Sequence, residues 1–271
     1  MMPAPHLITT VGGSAVPTLE PMLRHYLSLG VQSIFLNLHL QNDNDPIRET
    51  VEEISRRCGT PITATYIGDW HDIQQEAYAK PRRDYPNDWF ILADSDEFQQ
   101  YPAPLTDIIA ECEQHNWDHL KGCFLDRLAA DGSFPPIDAT IALEQQFPLG
   151  ALLTFPVMLG DPRKITLVRG PIYVIAGQHF TYSPMGCPPA IHYIPVHHFK
   201  WTAGIPERLA ERIQQMKQAG IAHWLESQRF LDYIEASSGR IDLQDQRLLI
   251  ASCHPTYPHW DEMKQYVLNL R

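Results

Sequence analysis

Three carboxylates fall within four residues of the chain, directly after a run of apolar side chains. Asp94, Asp96 and Glu97 follow the stretch 89–93, which reads WFILA. Carboxylates this close repel one another unless a cation or solvent offsets their charge. Asp94 and Asp96 are two residues apart, so an extended backbone directs both to the same side. This pattern suits a hard divalent cation, Mg²⁺ or Mn²⁺, that would also hold substrate phosphates. The alternative is a solvated acidic turn.

The elements around this stretch must bring it to a ligand-binding edge. Apolar runs predict four strands in the first part of the chain: 7–11, 31–38, 62–67 and 89–93. Helical periodicity predicts helices between them: 17–29, 46–58 and 71–79. This alternation favours an α/β fold with a mostly parallel central sheet flanked by helices. Because ligands bind beyond the carboxyl ends of such strands, we expect Asp94 and Asp96 to share one edge with Thr10, Val11 and Asp69.

The second half of the chain is less regular. Three strands are predicted there (120–128, 164–169 and 172–175), together with a histidine-containing strand over 191–201. Four further helices are predicted: 104–115, 206–220, 222–236 and 262–270. Residues 141–160 have mixed periodicity, and we expect loop and irregular helix. We therefore predict a single domain over 1–271, on which a helical extension from about residue 203 packs.

The segment WFILADSDEF (89–98) resembles the DxD segment of family-2-like glycosyltransferases with the GT-A fold, in the subgroup whose signature is D-x-D-E-F. The resemblance implies a nucleotide-diphospho-sugar transferase fold in which the motif follows a central strand. It also implies a Mn²⁺ or Mg²⁺ ion, held by Asp94 and Asp96, that binds the diphosphate of the donor. Asp94 would in addition contact the ribose, whereas Glu97 would orient a neighbour.

The donor nucleoside would lie beside the other strand ends. The segment MLRHYLSLGVQSIFL (22–36) resembles the helix and second strand of the same family, in which the end of the first strand holds the base. Thr10 and Val11 stand at that position, before Gly12 and Gly13. An acid near a strand end often meets the base or the ribose in this fold, so Asp69 is the expected contact. The alternative for Asp69 is the N-cap of the helix over 71–79.

Residues 126–132 resemble the "DR…DG" stretch of the same subgroup. Either Asp126 or Asp131 would be the base that activates the acceptor, and the sequence does not choose between them. Arg127 would pair with the diphosphate or with a neighbouring carboxylate, and a buried structural pair is the alternative.

The segment HHFKW (197–201) resembles the C-terminal signature of the subgroup. There a late histidine completes the metal shell and a lysine reaches the phosphates, which implies His198 as a metal ligand and Lys200 as a phosphate contact. Adjacent histidines of a strand point to opposite faces, so only one of them serves the site. His197 is the competing ligand. A histidine ligand would bias the site toward Mn²⁺.

Composition excludes several other classes of protein. The net charge of −11 argues against a nucleic-acid-binding protein, which would need a basic face. Five widely spaced cysteines without a CxxC motif indicate reduced thiols, not a disulfide framework or zinc site. No signal peptide and no apolar run of the roughly 20 residues that span a bilayer is visible. We expect a cytoplasmic protein, with peripheral attachment to the inner face of a membrane left open.

These features together predict a metal-dependent glycosyltransferase. It would move a sugar from a nucleotide diphosphate-sugar to a glycan or other small-molecule acceptor, and the resemblance implies inversion at the anomeric carbon. Two alternatives are another metal-dependent nucleotide- or phosphate-transfer enzyme and a non-catalytic module that binds sugars or nucleotides.

Overall fold

The computed structural model describes residues 4–270, and the chain forms two compact units. Within the described range, the first unit contains residues 4–123 and 163–196, and the second contains 124–162 and 197–270. The predicted helical extension belongs to the second unit, together with 124–162. The single-domain interpretation stays a prediction.

The first unit carries the predicted alternation of strands and helices. Its strands are β1 (His6–Val11), β2 (Ile34–Leu40), β3 (Ile62–Ile67), β4 (Trp89–Leu92), β5 (Glu97–Gln99), the first half of β6 (His119–Leu128), β8 (Arg163–Arg169) and the first part of β9 (Ile194–His198). Its helices are α1 (Val16–Ser28), α2 (Ile47–Cys58), α3 (Trp70–Asp84) and α4 (Leu105–His115). Helix α2 ends where Gly59 adopts a left-handed conformation (φ 66°), which a glycine does without steric cost.

The sheet of the first unit is parallel through β4, β1, β2 and β3, in that order. Strand β8 adds to β4 in antiparallel orientation, and the first half of β6 pairs antiparallel with β8. The α/β fold class with a mostly parallel central sheet and flanking helices is thereby confirmed. Because β4 and β8 run in opposite directions, the end of β4 lies beside the beginning of β8.

Helix α3 packs on the sheet through a buried apolar cluster. Ala77 and Tyr78 of the helix contact Ile8 of β1 and Phe90 and Leu92 of β4. Full burial of a side chain such as Phe90 stabilises the fold by about 1.5–3 kcal/mol. This packing fixes α3 directly beneath the end of the strand that leads into the acidic turn.

The second unit combines short strands with most of the C-terminal helices. Its elements are the end of β6, α5 (Leu143–Gln146), β7 (Leu149–Ala151), α6 (Thr154–Met158), the end of β9, α7 (Ile205–Gln218), α8 (Trp224–Ala236), β10 (Ala251–Ser252) and α9 (Trp260–Leu268). Strand β7 pairs antiparallel with both β6 and β10. The loop and irregular helix predicted over 141–160 correspond to α5, β7 and α6.

The strand predicted over 172–175 is wrong. Only Val174 forms a β-bridge, with Thr181. Gly177 and Gln178 both adopt positive φ (80° and 58°), so the chain turns back before a ladder can extend. The histidine-containing strand is also shorter than predicted, since β9 spans only 194–198.

Candidate functional site

The acidic turn lies at the carboxyl end of β4, as the sequence predicts. The amide of Glu97 donates to the carbonyl of Asp94 (3.0 Å), which closes a tight turn between β4 and β5. Asp94 and Asp96 are partly exposed, whereas Ser95 and Glu97 are buried. The two aspartates therefore face the accessible side of the turn, and Glu97 points into the protein.

Glu97 is neutralised by a lysine from β8. Lys164 is almost fully buried, and its Nζ lies 2.8 Å from Glu97 Oε1 and 3.9 Å from Asp94 Oδ2. The same ammonium donates to Gln178 Oε1 (2.7 Å) and to the carbonyl of Gly177 (3.1 Å). Burial alone would lower the pKa of Lys164. The negative charges of Glu97 and Asp94 raise this pKa by more than burial lowers it, so the net shift is upward. The lysine stays protonated and supplies a fixed positive charge behind the turn.

Tyr78 of α3 contacts Asp94 on its other oxygen. The Tyr78 hydroxyl lies 2.5 Å from Asp94 Oδ1 and 3.2 Å from the carbonyl of Ala93. Burial, and then the negative charge of Asp94, raise the pKa of Tyr78 well above its usual value. The hydroxyl is therefore a permanent donor. Asp94 is held from two sides, by Tyr78 at Oδ1 and by the charge of Lys164 near Oδ2.

The end of β1 joins this arrangement through Thr10. In the register of β1 with β4, Ile8 is opposite Leu92, so Thr10 lies level with Asp94. Thr10 and Val11 are both buried, and the Thr10 hydroxyl accepts from Asn37 Nδ2 of β2 (3.4 Å). The structure places Thr10 and Val11 at the predicted edge, and their contact with a nucleoside stays a prediction.

Asp69 lies two residues after the end of β3, at the same edge of the sheet, and is exposed. Its backbone carbonyl accepts from the amide of Asp72 in the first turn of α3.

His39 of β2 lies between the neighbouring strand ends. Its Nε2 bonds the carbonyl of Gly68 (2.8 Å). Its ring also packs closely against Gly12, where a Cβ atom on the glycine would lie 3.0 Å from the ring. The predicted convergence of the ends of β1, β3 and β4 on one edge is thus observed, whereas the role of Asp69 is untested.

The acidic turn fits a hard divalent cation through two carboxylates. Among residues 4–270, no three histidine, cysteine, aspartate or glutamate side chains are grouped closely enough to hold a metal ion by themselves. With Glu97 engaged by Lys164, the turn offers Asp94 and Asp96. Mg²⁺ is commonly bound in this way, by one or two carboxylates plus substrate phosphates and water. The donor set therefore fits a cation that arrives with a phosphate-bearing ligand.

Asp126 of β6, one of the two predicted acceptor bases, lies in the interior of the second unit. It is fully buried, and its Oδ1 lies 2.9 Å from His198 Nδ1 and 2.8 Å from the indole nitrogen of Trp201. Its Oδ2 accepts from the amides of Leu153 (3.0 Å) and Thr154 (3.2 Å). Burial alone would raise the pKa of Asp126, but these hydrogen bonds, led by the one from His198, lower it. A carboxylate without exposed surface cannot reach an acceptor, so the assignment of Asp126 as a base is corrected.

His198 is oriented by this carboxylate. Its ring stacks on Phe124 with centroids 4.2 Å apart, and its Nδ1 faces Asp126. A carboxylate at one ring nitrogen fixes the tautomer, as it commonly does for metal-binding histidines. The place of His198 in a metal shell stays a prediction.

Arg127 serves packing, not phosphate binding. Its Nε and Nη2 donate to the carbonyl of Phe147 (3.1 and 2.6 Å), and Nη1 lies 3.1 Å from His197 Nδ1. The guanidinium is buried and lies 5.2 Å from the ring centroid of Phe199. These contacts match the structural alternative for Arg127, and no contact with a carboxylate is among them. The contact of Nη1 places His197, the competing ligand, beside Arg127.

The remaining predicted residues of the second unit are accessible to solvent. Asp131 lies in an exposed turn, where its Oδ1 accepts from the amide (3.0 Å) and the hydroxyl (2.7 Å) of Ser133. Lys200 is partly exposed, and its Nζ lies 5.4 Å from the ring centroid of Trp201. Their roles as acceptor base and phosphate contact stay predictions.

Sequence reasoning missed two side chains that contact the acidic turn, Tyr78 and Lys164, and also His39 at the neighbouring strand ends. The sequence does hold an indication for Lys164, because this lysine directly precedes the apolar residues ITLV (165–168) of a strand, and those four residues are all buried. Tyr78 left none, because a tyrosine on the apolar face of a helix is typical of ordinary packing.

Comparison with known proteins gives neither a matching family model nor a matching curated protein. Solved structures with a similar course of the chain include S. aureus TarS residues 1–349, with 12% identity, a TM-score of 0.35 and coverage of 90% of this chain and 77% of that one. A putative glucose-1-phosphate thymidylyltransferase from Bacillus anthracis has 8% identity, a TM-score of 0.30 and coverage of 99% and 96%. A UDP-glucose pyrophosphorylase has 7% identity, a TM-score of 0.28 and coverage of 62% and 70%. All three TM-scores lie below 0.5, so the assignment of function rests on the site itself.

Proposed function

We propose that this protein is a metal-dependent glycosyltransferase that uses a nucleotide diphosphate-sugar. The observation that carries the proposal is the turn after β4, in which Asp94 and Asp96 face the open edge while Lys164 neutralises Glu97. The sequence of this turn, D-x-D-E-F, is that of the glycosyltransferase subgroup that the chain resembles. The ends of β1 and β3 lie along the same edge of the sheet, and we assign the nucleoside to that edge.

Different residues of the first unit would bind the cation and the nucleoside of the donor. Asp94 and Asp96 would hold Mn²⁺ or Mg²⁺, and Asp69 with the backbone near Thr10 and Val11 would contact the nucleoside. When bound, such a cation neutralises charge that develops on the leaving diphosphate. Lys164 would offset the mutual repulsion of the carboxylates, so that the turn keeps its shape before the cation arrives.

A turnover assay tests the proposed function. Purified protein would be incubated with a panel of nucleotide diphosphate-sugars and a panel of simple glycan acceptors, with Mn²⁺, with Mg²⁺ or with EDTA. We expect release of the nucleoside diphosphate from one donor, dependent on the cation and strongly reduced in Asp96→Asn. Even slow hydrolysis of the donor by water would identify the nucleotide-sugar.

Two controls separate the alternatives. Formation of pyrophosphate from a nucleoside triphosphate and a sugar 1-phosphate would instead indicate a nucleotidyltransferase. Tight binding of a nucleotide-sugar without any turnover, across all acceptors tested, would indicate a binding module. Either result would contradict the proposal.

A further inference from the structure

Asp94 is held by a tyrosine from α3 that lies among buried polar side chains of β1 and β2. Asn37 Nδ2 on β2 donates to Thr10 Oγ1 on β1 (3.4 Å). The Tyr78 hydroxyl lies 2.5 Å from Asp94 Oδ1. Asn37 is itself fixed, since its Nδ2 also donates to the carbonyl of Ala77 on α3 (3.1 Å). Asn37, Thr10 and Tyr78 are all buried.

The direction of the bond between Tyr78 and Asp94 follows from its proton count. A tyrosine hydroxyl has one proton to donate, and the Asp94 carboxylate oxygen at 2.5 Å is a closer acceptor than the Ala93 carbonyl at 3.2 Å. Tyr78 therefore donates to Asp94.

We infer that Tyr78 is a positioning residue: it presets the carboxylate of Asp94 so that the second oxygen is aimed for a cation. Lys164 acts from the opposite side, 3.9 Å from Oδ2. The inference rests on the proposed function, since it assigns Asp94 to a metal. If the inference holds, the Tyr78 hydroxyl controls the affinity of the site for the metal ion without touching the ion. Hydrogen-bonding partners of metal ligands commonly act in this way.

A double-mutant cycle on Mn²⁺ binding tests this role. The affinity for Mn²⁺ alone would be measured by the loss of the free-ion electron paramagnetic resonance signal, in the full-length protein. We expect Tyr78→Phe to weaken Mn²⁺ binding about 10-fold, the lower end of the usual effect of losing such a partner. Asp94→Asn should weaken it more, and Tyr78→Phe should add nothing in the Asp94→Asn background, because the hydroxyl acts through that carboxylate.

Tyr101→Phe is the matched control. Its hydroxyl lies 2.6 Å from Gln99 Oε1 and 3.2 Å from the carbonyl of Thr166, in the same unit, and contacts none of the acids. It should leave the Mn²⁺ affinity unchanged. An unchanged affinity in Tyr78→Phe, or an equal loss with and without Asp94, would overturn the inference, since a purely structural effect is additive.

A crystal structure of Tyr78→Phe separates this inference from the proposed function. If the wild type binds no Mn²⁺ either alone or together with a nucleoside diphosphate, the proposed function fails, and the position of the Asp94 side chain decides the inference alone. A carboxylate that rotates away from its wild-type position in Tyr78→Phe, but not in Tyr101→Phe, supports the positioning role. A carboxylate that stays in place without the hydroxyl overturns it.

Discussion

The carboxylates of this protein differ in their surroundings, and those surroundings decide what each can do. Asp94 and Asp96 are partly exposed at a strand end, whereas Glu97 and Asp126 are buried against cations or donors. Glu97 faces an ammonium, and Asp126 accepts hydrogen bonds on both oxygens. Residue type alone does not separate these cases, but only an accessible carboxylate can meet a substrate or ion.

Asp126→Asn should destabilise the second unit. Both oxygens of Asp126 accept hydrogen bonds, so an amide places its NH₂ group against a donor in either orientation. We expect a loss of about 1.5–3 kcal/mol in the free energy of unfolding at pH 7, measured by urea titration. Asp138→Asn is the control and should change stability little, because Asp138 is exposed in the same unit and its carboxylate accepts from Thr140.

The pH dependence of this loss follows from the lowered pKa of Asp126. The contribution of Asp126 is fully present above the ordinary carboxyl pKa of about 3.9 and is lost as the pH falls through the lower folded value. The difference in stability between wild type and Asp126→Asn should therefore shrink on titration from pH 5 to pH 2. A difference that stays constant over this range would contradict the assignment of an ionised, hydrogen-bonded Asp126.

Neighbouring elements supply the charges that the acidic turn needs. The antiparallel pairing of β8 with β4 brings Lys164 to the end of β4, and the turn over 177–178 adds two further oxygens around its ammonium. The ammonium group of Lys164 is therefore a fixed positive charge at the end of the sheet. Its position depends on strand direction, since a parallel β8 would place Lys164 at the opposite edge.

Lys164→Met should destabilise the first unit, because it leaves Glu97 charged and buried without its partner. We expect a loss of about 3–5 kcal/mol in the free energy of unfolding, measured by denaturant titration. The double variant Lys164→Met with Glu97→Gln should recover much of that loss, because no unpaired charge remains. Lys80→Met is the control: Lys80 forms an exposed pair with Asp84 at 2.7 Å, and solvent screens that pair. A double variant as unstable as the single one would show that Lys164 does not act through Glu97.

The sequence was sufficient where a pattern is local. The alternation of strands and helices, and the acidic turn after a buried strand, depend on residues that are neighbours in the chain, and the structure confirms the fold class and the position of the turn. It was insufficient where a contact joins distant segments. Tyr78 and Lys164 meet the turn through packing between elements, and periodicity does not predict which polar group a buried side chain will face. Arg127 shows the same limit, since a polar residue inside an apolar strand indicates a partner but not its identity.

At the level of the whole chain, charge limits how an anionic donor can bind. The net charge is −11, and a nucleotide diphosphate approaching the acidic turn is repelled unless a cation intervenes. No helix within residues 4–270 has the length and apolarity needed to cross a membrane. A strict dependence of donor binding on a divalent cation is thus the property that the site and the charge of the chain both predict.

Isothermal titration calorimetry of nucleoside diphosphates tests this claim most directly. The wild type and Asp96→Asn would each be titrated with UDP, GDP, CDP and ADP, in Mn²⁺ and in EDTA. We expect one nucleotide to bind the wild type at least 10-fold more tightly with Mn²⁺ than with EDTA, and Asp96→Asn to lose that gain while its melting temperature stays within a few degrees of wild type. Equal affinity with Mn²⁺ and with EDTA, or an undiminished Mn²⁺ effect in Asp96→Asn, would contradict the assignment of the turn at the end of β4 as the metal and diphosphate site.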